Sequence, residues 1–555
     1  MLLRPRLNVV TRISLKVPPV DNLIAILSML HEPADRHSAA RLFRGKPVLD
    51  WTLRRLSAAD SIDTTAILCW EDQFDAVNKA TVKKNVGVVC KGPRKEIAAI
   101  APINAARRWA DGWRGGLLGT CEFDLGFAPV FINELMQLHE ADAALLVDPA
   151  SALLDAALVE SLIDYSQTQP GAELCFMQAA PGLAGTLLRR PLVERLAIAN
   201  VHPGRMLTYF PDQHGVDPIG KPGCAPVPTP VARSIHRFKL DSDRQIARAD
   251  RATLHLNGHL ISTEAEELVI SMRGAESVDR LPREVLLELN TNRATQPVYW
   301  AGKHLQIDRP DFSLATAKRL FNELVLLDDI RITLGGVGDP LLSPVCFDII
   351  AAAKSAGIAG ICVETDLLSV SGDDLNRLAA SGVDVVSVHF PAATSPTYAS
   401  IMGIDGFSQV LQNLTALESL VKHGPPLIAP VFTKMAANLS EMELWYDYWL
   451  RRSGHAVIVG PSDFALQIPD LALADMASPV RRPCLRLSSR MTILSNGTVV
   501  SCEQDVLGKQ PMGIVGETSI QEIWQQRFGA MRQCHQAGEW TTQPLCGQCR
   551  EWHRA

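Results

Sequence analysis

The sequence predicts an α/β protein in three parts. These are an N-terminal layered domain over residues 1–240, a partial (β/α)6 barrel of the TIM type over 284–475, and a small four-cysteine module over 476–555. Residues 241–283 read as a connector. Three observations carry this. Short apolar runs alternate with amphipathic stretches up to about residue 200, the signature of layered strands and helices. From residue 284 the alternation becomes regular, with six strand-like segments separated by helix-length crossovers. Five of the twelve cysteines then crowd into the stretch after residue 480.

Bulk composition narrows the function classes. The 555 residues are 47% hydrophobic and 21% charged, ordinary values for globular domains. A net charge of −6 provides no basic field, so no nucleic-acid partner is expected. No apolar run approaches the roughly 18 residues that cross a bilayer, so no membrane partner is expected either. The opening segment carries Arg4, Arg6, Arg12 and Lys16 but no apolar core and no small-residue cleavage site; it reads as a lead-in, not a targeting signal. Cysteines concentrated in one place point to a local metal site in a reducing compartment, hence a cytoplasmic protein.

In the first part, strands are predicted at 22–29, 64–70 and 143–147, and helices at 49–57 and 132–139. Residues 201–235 are rich in Pro and Gly and read as loop. In the second part, strands fall at 285–289, 331–334, 360–363, 385–388, 427–432 and 456–459, with helices near 314–327, 344–356, 373–381, 406–422 and 438–452. Asn438, with Glu441 three residues on, reads as the N-cap of the last helix. Crossovers of this length imply parallel strands. Function in such barrels gathers where the strands end.

Those strand ends carry a resemblance. The turn Gly335-Gly336-Val337-Gly338-Asp339-Pro340 after the second strand, Glu364-Thr365-Asp366 after the third, Ser387-Val388-His389 at the fourth, and Tyr398–Phe407 resemble the radical-SAM family. The resemblance implies that Gly336, Gly338, Asp339, Pro340 and His389 face S-adenosylmethionine, with Asp339 in place of the usual, longer Glu. The family also places three cysteines, spaced C-x3-C-x2-C, after the first strand, where they ligate a cluster that chelates the cofactor. Here those positions are Arg293, Pro297 and Trp300. None of the three side chains can act as a thiolate. The expectation is a barrel without radical chemistry.

The tail reads Cys484, a β-rich run, Asn496-Gly497, a second β-rich run ending at Cys502, a helix over about 520–535, then Cys546-Gly547-Gln548-Cys549. Asn-Gly between two such runs predicts a hairpin. Cys484, Cys502, Cys546 and Cys549 supply four thiolates, a set that both zinc and an iron–sulfur cluster accept. Cys534 reads as a buried bystander. Gly497, Cys502, Asp505, Glu522-Ile523-Trp524 and Pro544-Leu545-Cys546 resemble the SPASM module, which implies one 4Fe-4S cluster, with zinc as the alternative.

The first part has its own resemblance. Arg41–Leu49, followed by Trp51–Leu56, is similar to the opening of sugar-nucleotide transferases. That implies a Rossmann-like, nucleotidyltransferase-like domain. Arg36, Arg41 and Lys46 would meet phosphates, and Asp124 and Asp148 would meet magnesium. Together the readings give an iron–sulfur protein acting by binding, electron transfer or scaffolding in a modification pathway, on a protein partner or a small-molecule substrate. A nucleotidyltransferase with an accessory barrel, a radical-SAM enzyme with an atypical cluster and a zinc protein with four cysteine ligands stand as alternatives.

Overall fold

The structure, a computed structural model, describes residues 20–82, 84–209, 211, 218–256, 258–274, 279–422 and 424–554. The basic residues of the opening segment lie outside these. The chain divides between Ser277 and Val278 into two compact units.

The first unit is built on β1 (Leu23–Ser28), a two-residue ribbon of β2 (Leu42–Phe43) and β3 (Lys46–Pro47), β4 (Thr64–Cys69), β5 (Gly87–Cys90), β6 (Ala143–Leu146), β7 (Leu174–Met177), β8 (Thr186–Arg189) and β9 (Cys224–Ala225). Seven of these form one sheet in the order β5-β4-β1-β6-β8-β7-β9. β1 pairs in parallel with both β4 and β6, and β8 runs antiparallel to its neighbours. All six residues of β1 are buried. Leu23, Ala25 and Leu27 enter one core, whereas Ile24 and Ile26 enter the other. A strand covered on both faces needs apolar residues along its length, which explains the run LIAIL that Ser28 closes. The stretch read as a connector contains helices Asp243–Ala252 and Ala265–Gly274. Ala249, Leu268, Val269 and Met272 join the first unit's core. Buried Arg55 ties them down by donating to the carbonyls of Leu154, Leu260 and Thr263.

The second unit holds one nine-stranded sheet. Its strands are β10 (Glu284–Leu287), β11 (Arg331–Leu334), β12 (Gly360–Thr365), β13 (Val385–His389), β14 (Leu427–Thr433), β15 (Val457–Val459), β16 (Arg490–Ile493), β17 (Thr498–Val500) and β18 (Pro511–Ile514). The order is β15-β14-β13-β12-β11-β10-β16-β17-β18. The six strands read from the sequence are all present, parallel and in consecutive order. β16 continues the parallel series beside β10, with Val285 opposite Met491, and β17 and β18 follow as antiparallel strands. The hairpin at Asn496-Gly497 forms as expected, with Gly497 at φ 83°.

Helices Leu314–Leu324, Cys346–Ala356, Gly372–Ala380, Phe407–Val421 and Met442–Ser453 cover one face of the parallel strands. Val285, Leu287, Ile332, Leu334, Ile361, Val363, Val386 and Val388 pack there with Leu320, Ile349, Leu378, Leu414 and Trp449. Alternation along each strand turns Leu286, Thr333, Glu364 and Ser387 to the opposite, concave face, where each is half-buried. Asn438 does not cap the last helix, which starts instead at Met442. Its fully buried side chain accepts from Met435 N–H and donates to the carbonyls of Pro391 and Thr433. Glu441 accepts from the N–H groups of Ala393 and Thr394. Unpaired loop carbonyls buried beside an amide compete with the helix end for it, and here they win. Among the described residues no helix is long and apolar enough to cross a membrane.

Candidate metal centre

The C-terminal cysteines are held by short, strongly tethered segments. Cys484 precedes β16, and its N–H donates to His535 Nδ1 at 3.3 Å. Cys502 follows β17 and opens a loop that buried Asp505 closes by accepting from the N–H groups of Lys509 and Gln510. Cys546 lies in the short helix Pro544–Gln548, and Cys549 follows its end. Arg481 donates to the carbonyls of both Cys546 and Cys549 and stacks over Trp540 at 5.1 Å. Glu551 N–H donates to Cys549 Sγ at 3.2 Å. Helix Phe528–Gln536 backs the module through Phe528 and Met531, with Trp524 and Phe528 at 4.8 Å.

The four thiols are electrostatic neighbours. Burial, then the charges of Cys484 and Cys549, push the Cys546 thiol up to about 12. Cys549 and Cys502 are raised too, chiefly by burial, and each feels another member of the set. Arg481 opposes the rise at Cys546, and Arg486 opposes it at Cys502 and Cys549. Buried thiols that repel one another as thiolates are the donor set that a metal centre stabilises, because the metal supplies the missing positive charge. As the side chains stand, no three or more His, Cys, Asp or Glu among the described residues close to metal-holding distance. The fit therefore rests on the chemistry of the donors. Cys534, half-buried and not fully buried, places its Sγ 3.2 Å from the Glu539 carbonyl and acts electrostatically on Cys546.

At the strand ends of the barrel the chain folds onto itself. Gly336 has φ 108°, and a Cβ there would lie 2.9 Å from Glu288. A Cβ on Gly338 would lie 2.2 Å from Asn290 Oδ1. The close approach these glycines permit is thus to the first-strand loop itself. Asp339 is buried and its oxygens are committed. Oδ1 accepts from Leu341 N–H, and Oδ2 accepts from Thr365 Oγ1 and Asp366 N–H. Burial, then the charge of Asp366, raises its pKa. Pro340 is buried in the same turn.

Arg293 and Trp300 occupy the ground between these elements. Arg293 Nη1 lies 2.5 Å from Asp366 Oδ1, Nε donates to the Val337 carbonyl at 3.2 Å, and Nη2 reaches the Gly338 carbonyl at 3.4 Å. Trp300 Nε1 donates to the same Val337 carbonyl at 2.9 Å, and the guanidinium lies 4.5 Å from its ring centroid. His389 meets Trp300 edge-on at 5.3 Å. Burial, then the Arg293 charge, lowers its pKa to about 3, so it stays neutral across the physiological range. Neither ring nitrogen has a hydrogen-bond partner among the described residues. A guanidinium here and a carboxylate already in use thus stand on the ground that the resemblance assigns to S-adenosylmethionine.

On the concave face, Glu364 is raised to about 7, by burial and then by Glu503, against Arg490 and Arg293. Below pH 4.5 both folded and unfolded chains carry its proton. As pH rises the unfolded chain ionises first, so the stability this group contributes falls between pH 4.5 and about 7. Glu364→Gln is expected to flatten that decline, read from urea midpoints measured across the same window. An unchanged slope would remove Glu364 as its source.

Of the residues expected to contact phosphate in the first unit, Arg36 and Arg41 are neighbours, Arg41 Nε donating to the Arg36 carbonyl at 3.2 Å. Arg36 is exposed and pairs loosely with Asp35. Arg41 binds Asp243 at 2.9 Å on a cavity of about 350 Å³ shared with Phe43, Arg44 and Asp250. Lys46 is exposed, 5.8 Å from the Trp51 ring. Asp124 is fully buried and accepts from the N–H groups of Cys121 and Gly204. Asp148 sits against Lys239.

Residues 484–550 match the model of SPASM, an iron–sulfur cluster-binding domain. A protein of Treponema pallidum (strain Nichols), described as uncharacterized, is 24% identical over 234 residues, which span 40% of this chain and 64% of that protein. Solved structures that resemble the chain include BtrN in complex with AdoMet and 2-DOIA, at 18% identity and TM-score 0.37, covering 49% of this chain and 94% of that one. Streptococcus suis SuiB bound to precursor peptide SuiA gives 11% and 0.39, covering 49% and 72%. Native anSMEcpe with bound AdoMet and Cp18Cys peptide gives 10% and 0.37, covering 49% and 87%.

Proposed function

We propose that this chain is an iron–sulfur protein of the radical-SAM/SPASM type. In this reading it carries one 4Fe-4S cluster on Cys484, Cys502, Cys546 and Cys549 and does not cleave S-adenosylmethionine. The observation that carries it is the pairing of a four-thiol SPASM module with a first-strand loop whose cysteine positions are Arg293, Pro297 and Trp300. A cluster bound there would supply one-electron redox capacity or a structural cross-link. The chain's own residues would do the rest. Arg481 holds the Cys546–Cys549 loop by its carbonyls, Arg486 offsets thiolate charge, and Glu551 N–H donates to the Cys549 sulfur. Its role is then electron transfer, binding or scaffolding in the cytoplasm, on a small molecule or a protein partner. Kinship of the first unit to nucleotidyltransferases is proposed for its fold and not its activity, because Arg41 is paired with Asp243 and Asp124 is buried in hydrogen bonds to backbone N–H groups.

The test is incubation of the anaerobically reconstituted, reduced protein with S-adenosylmethionine. No 5′-deoxyadenosine is expected. Its formation in amounts exceeding one per chain would overturn the reading.

A further inference from the structure

The open cavity of about 350 Å³ in the first unit lies between the β2–β3 ribbon and helix Asp243–Ala252. The helix lines it with Asp243, Ile246, Ala247 and Asp250. These are the i, i+3, i+4 and i+7 positions that share one helix face. The ribbon lines it with Arg41, Leu42 and Arg44, among others. Each wall therefore reads charged, apolar, charged, with acids on the helix and bases on the ribbon. Arg41 pairs with Asp243, and Arg44 pairs with Asp250 two helical turns further on. Two positive and two negative groups leave no field of either sign to hold a polyanion or a polycation.

The Arg44–Asp250 pair carries spare bonding capacity into this cavity. Arg44 and Gly45 form the two-residue turn of the ribbon, with φ 48° and 74°. Both positions of such a turn are left-handed, a conformation that is strained for arginine and easy for glycine. The guanidinium is then fixed by three donations. Nε reaches Asp250 Oδ1 at 3.0 Å, and Nη2 reaches the Asp250 carbonyl at 3.4 Å and Thr253 Oγ1 at 3.0 Å. Among the described residues, Nη1 donates to no group and Asp250 Oδ2 accepts from none.

A spare donor and a spare acceptor thus belong to one ion pair at the wall of one cavity. A ligand with both a carboxylate and an ammonium group uses the two without breaking the pair. A lone anion would face the spare oxygen of Asp250, and a lone cation the spare nitrogen of Arg44. Beside the pair lie apolar groups open to solvent. Leu42 is 59% exposed, Ala247 is exposed and Ile246 is half-buried. An aliphatic group laid against them takes that surface out of water. The volume is at the lower end of the range for small-molecule pockets.

We propose that this cavity binds a free α-amino acid with an aliphatic side chain. Its carboxylate accepts from Arg44 Nη1, its ammonium donates to Asp250 Oδ2, and its side chain covers Leu42, Ile246 and Ala247. The site is independent of the iron–sulfur reading, and so is its test.

Saturation-transfer NMR titrations of the full-length protein with L-leucine, glycine, N-acetyl-L-leucine and L-leucinamide provide that test. L-Leucine should bind. Glycine lacks the side chain and each capped compound lacks one charge, so all three should bind at least about tenfold more weakly. Asp250→Asn keeps the size of the side chain and should weaken L-leucine by about tenfold. Leu42→Ser changes an exposed side chain, so the melting temperature should hold while most of the preference for leucine over glycine is lost. Three results overturn the proposal: no transfer to L-leucine, capped compounds that bind as well as L-leucine, or an affinity for L-leucine left unchanged in either variant.

Discussion

Replacing Cys546 and Cys549 together by serine is expected to strip the anaerobically purified protein of its iron. The native chain should carry about four irons and four sulfides, with charge-transfer absorbance in the visible, and the double variant nearly none. Serine keeps the size of the side chain but offers a hydroxyl that stays protonated and hard where iron–sulfur chemistry needs a soft thiolate. The two positions share one short helix end, so the loss removes half of the donor set at once. One zinc per chain in the native protein, with no iron, would replace the cluster by a zinc site on the same four thiolates. Cys534→Ser serves as the control. Its sulfur is engaged with the Glu539 carbonyl, and iron content should persist.

The second large effect concerns Arg293. Arg293→Ala is expected to destabilise the second unit by about 3–5 kcal/mol, because Asp366 is then buried without its cation. Asp366 is 0% exposed and, among the described residues, keeps only Thr295 as a side-chain partner once the guanidinium is gone. The double variant Arg293→Ala with Asp366→Asn should recover most of the loss, since the charge that demanded a partner is removed too. Urea denaturation followed by circular dichroism measures both. A single variant within about 1 kcal/mol of the native protein would mean that water replaces the guanidinium and that the pair contributes little.

The six parallel strands could be read from sequence because each is buried against helices and spelled in β-branched and aliphatic residues. GICVET and VVSVH carry the pattern locally. The hairpin was equally legible, because Asn-Gly has few other uses between strands. What could not be read was partnership at a distance. Nothing in RMTI states that it will lie parallel to EVLL, since strand pairing leaves no mark on local periodicity. The same reason hid Lys239. It stands between Phe238 and Leu240, flanked by Arg237 and Asp241, and only the fold brings Glu122 and Asp148 to it. Arg36, Arg41 and Lys46 illustrate the converse. The resemblance to sugar-nucleotide transferases implies phosphate contacts for them, but Asp243, remote in sequence, claims Arg41. The segment 241–283 looked like a connector because its helices are polar on one side. Their apolar side was the informative one.

The pairing of β10 with β16 has a consequence for the order in which the chain is made. Glu284 and Arg490, bonded across these strands, are 206 residues apart. The outer edge of the first barrel strand therefore waits, with its backbone groups unpaired, until about three-quarters of the second unit has been made. A chain cut short before residue 490 would keep the six barrel strands and present a raw edge to its neighbours, a template for association between copies. The cysteine module thus acts as the selvedge of the barrel's sheet. Late closure of this kind favours slow folding and a period of dependence on chaperones. Two of the four cysteines proposed to hold iron, Cys546 and Cys549, are made later still than that edge.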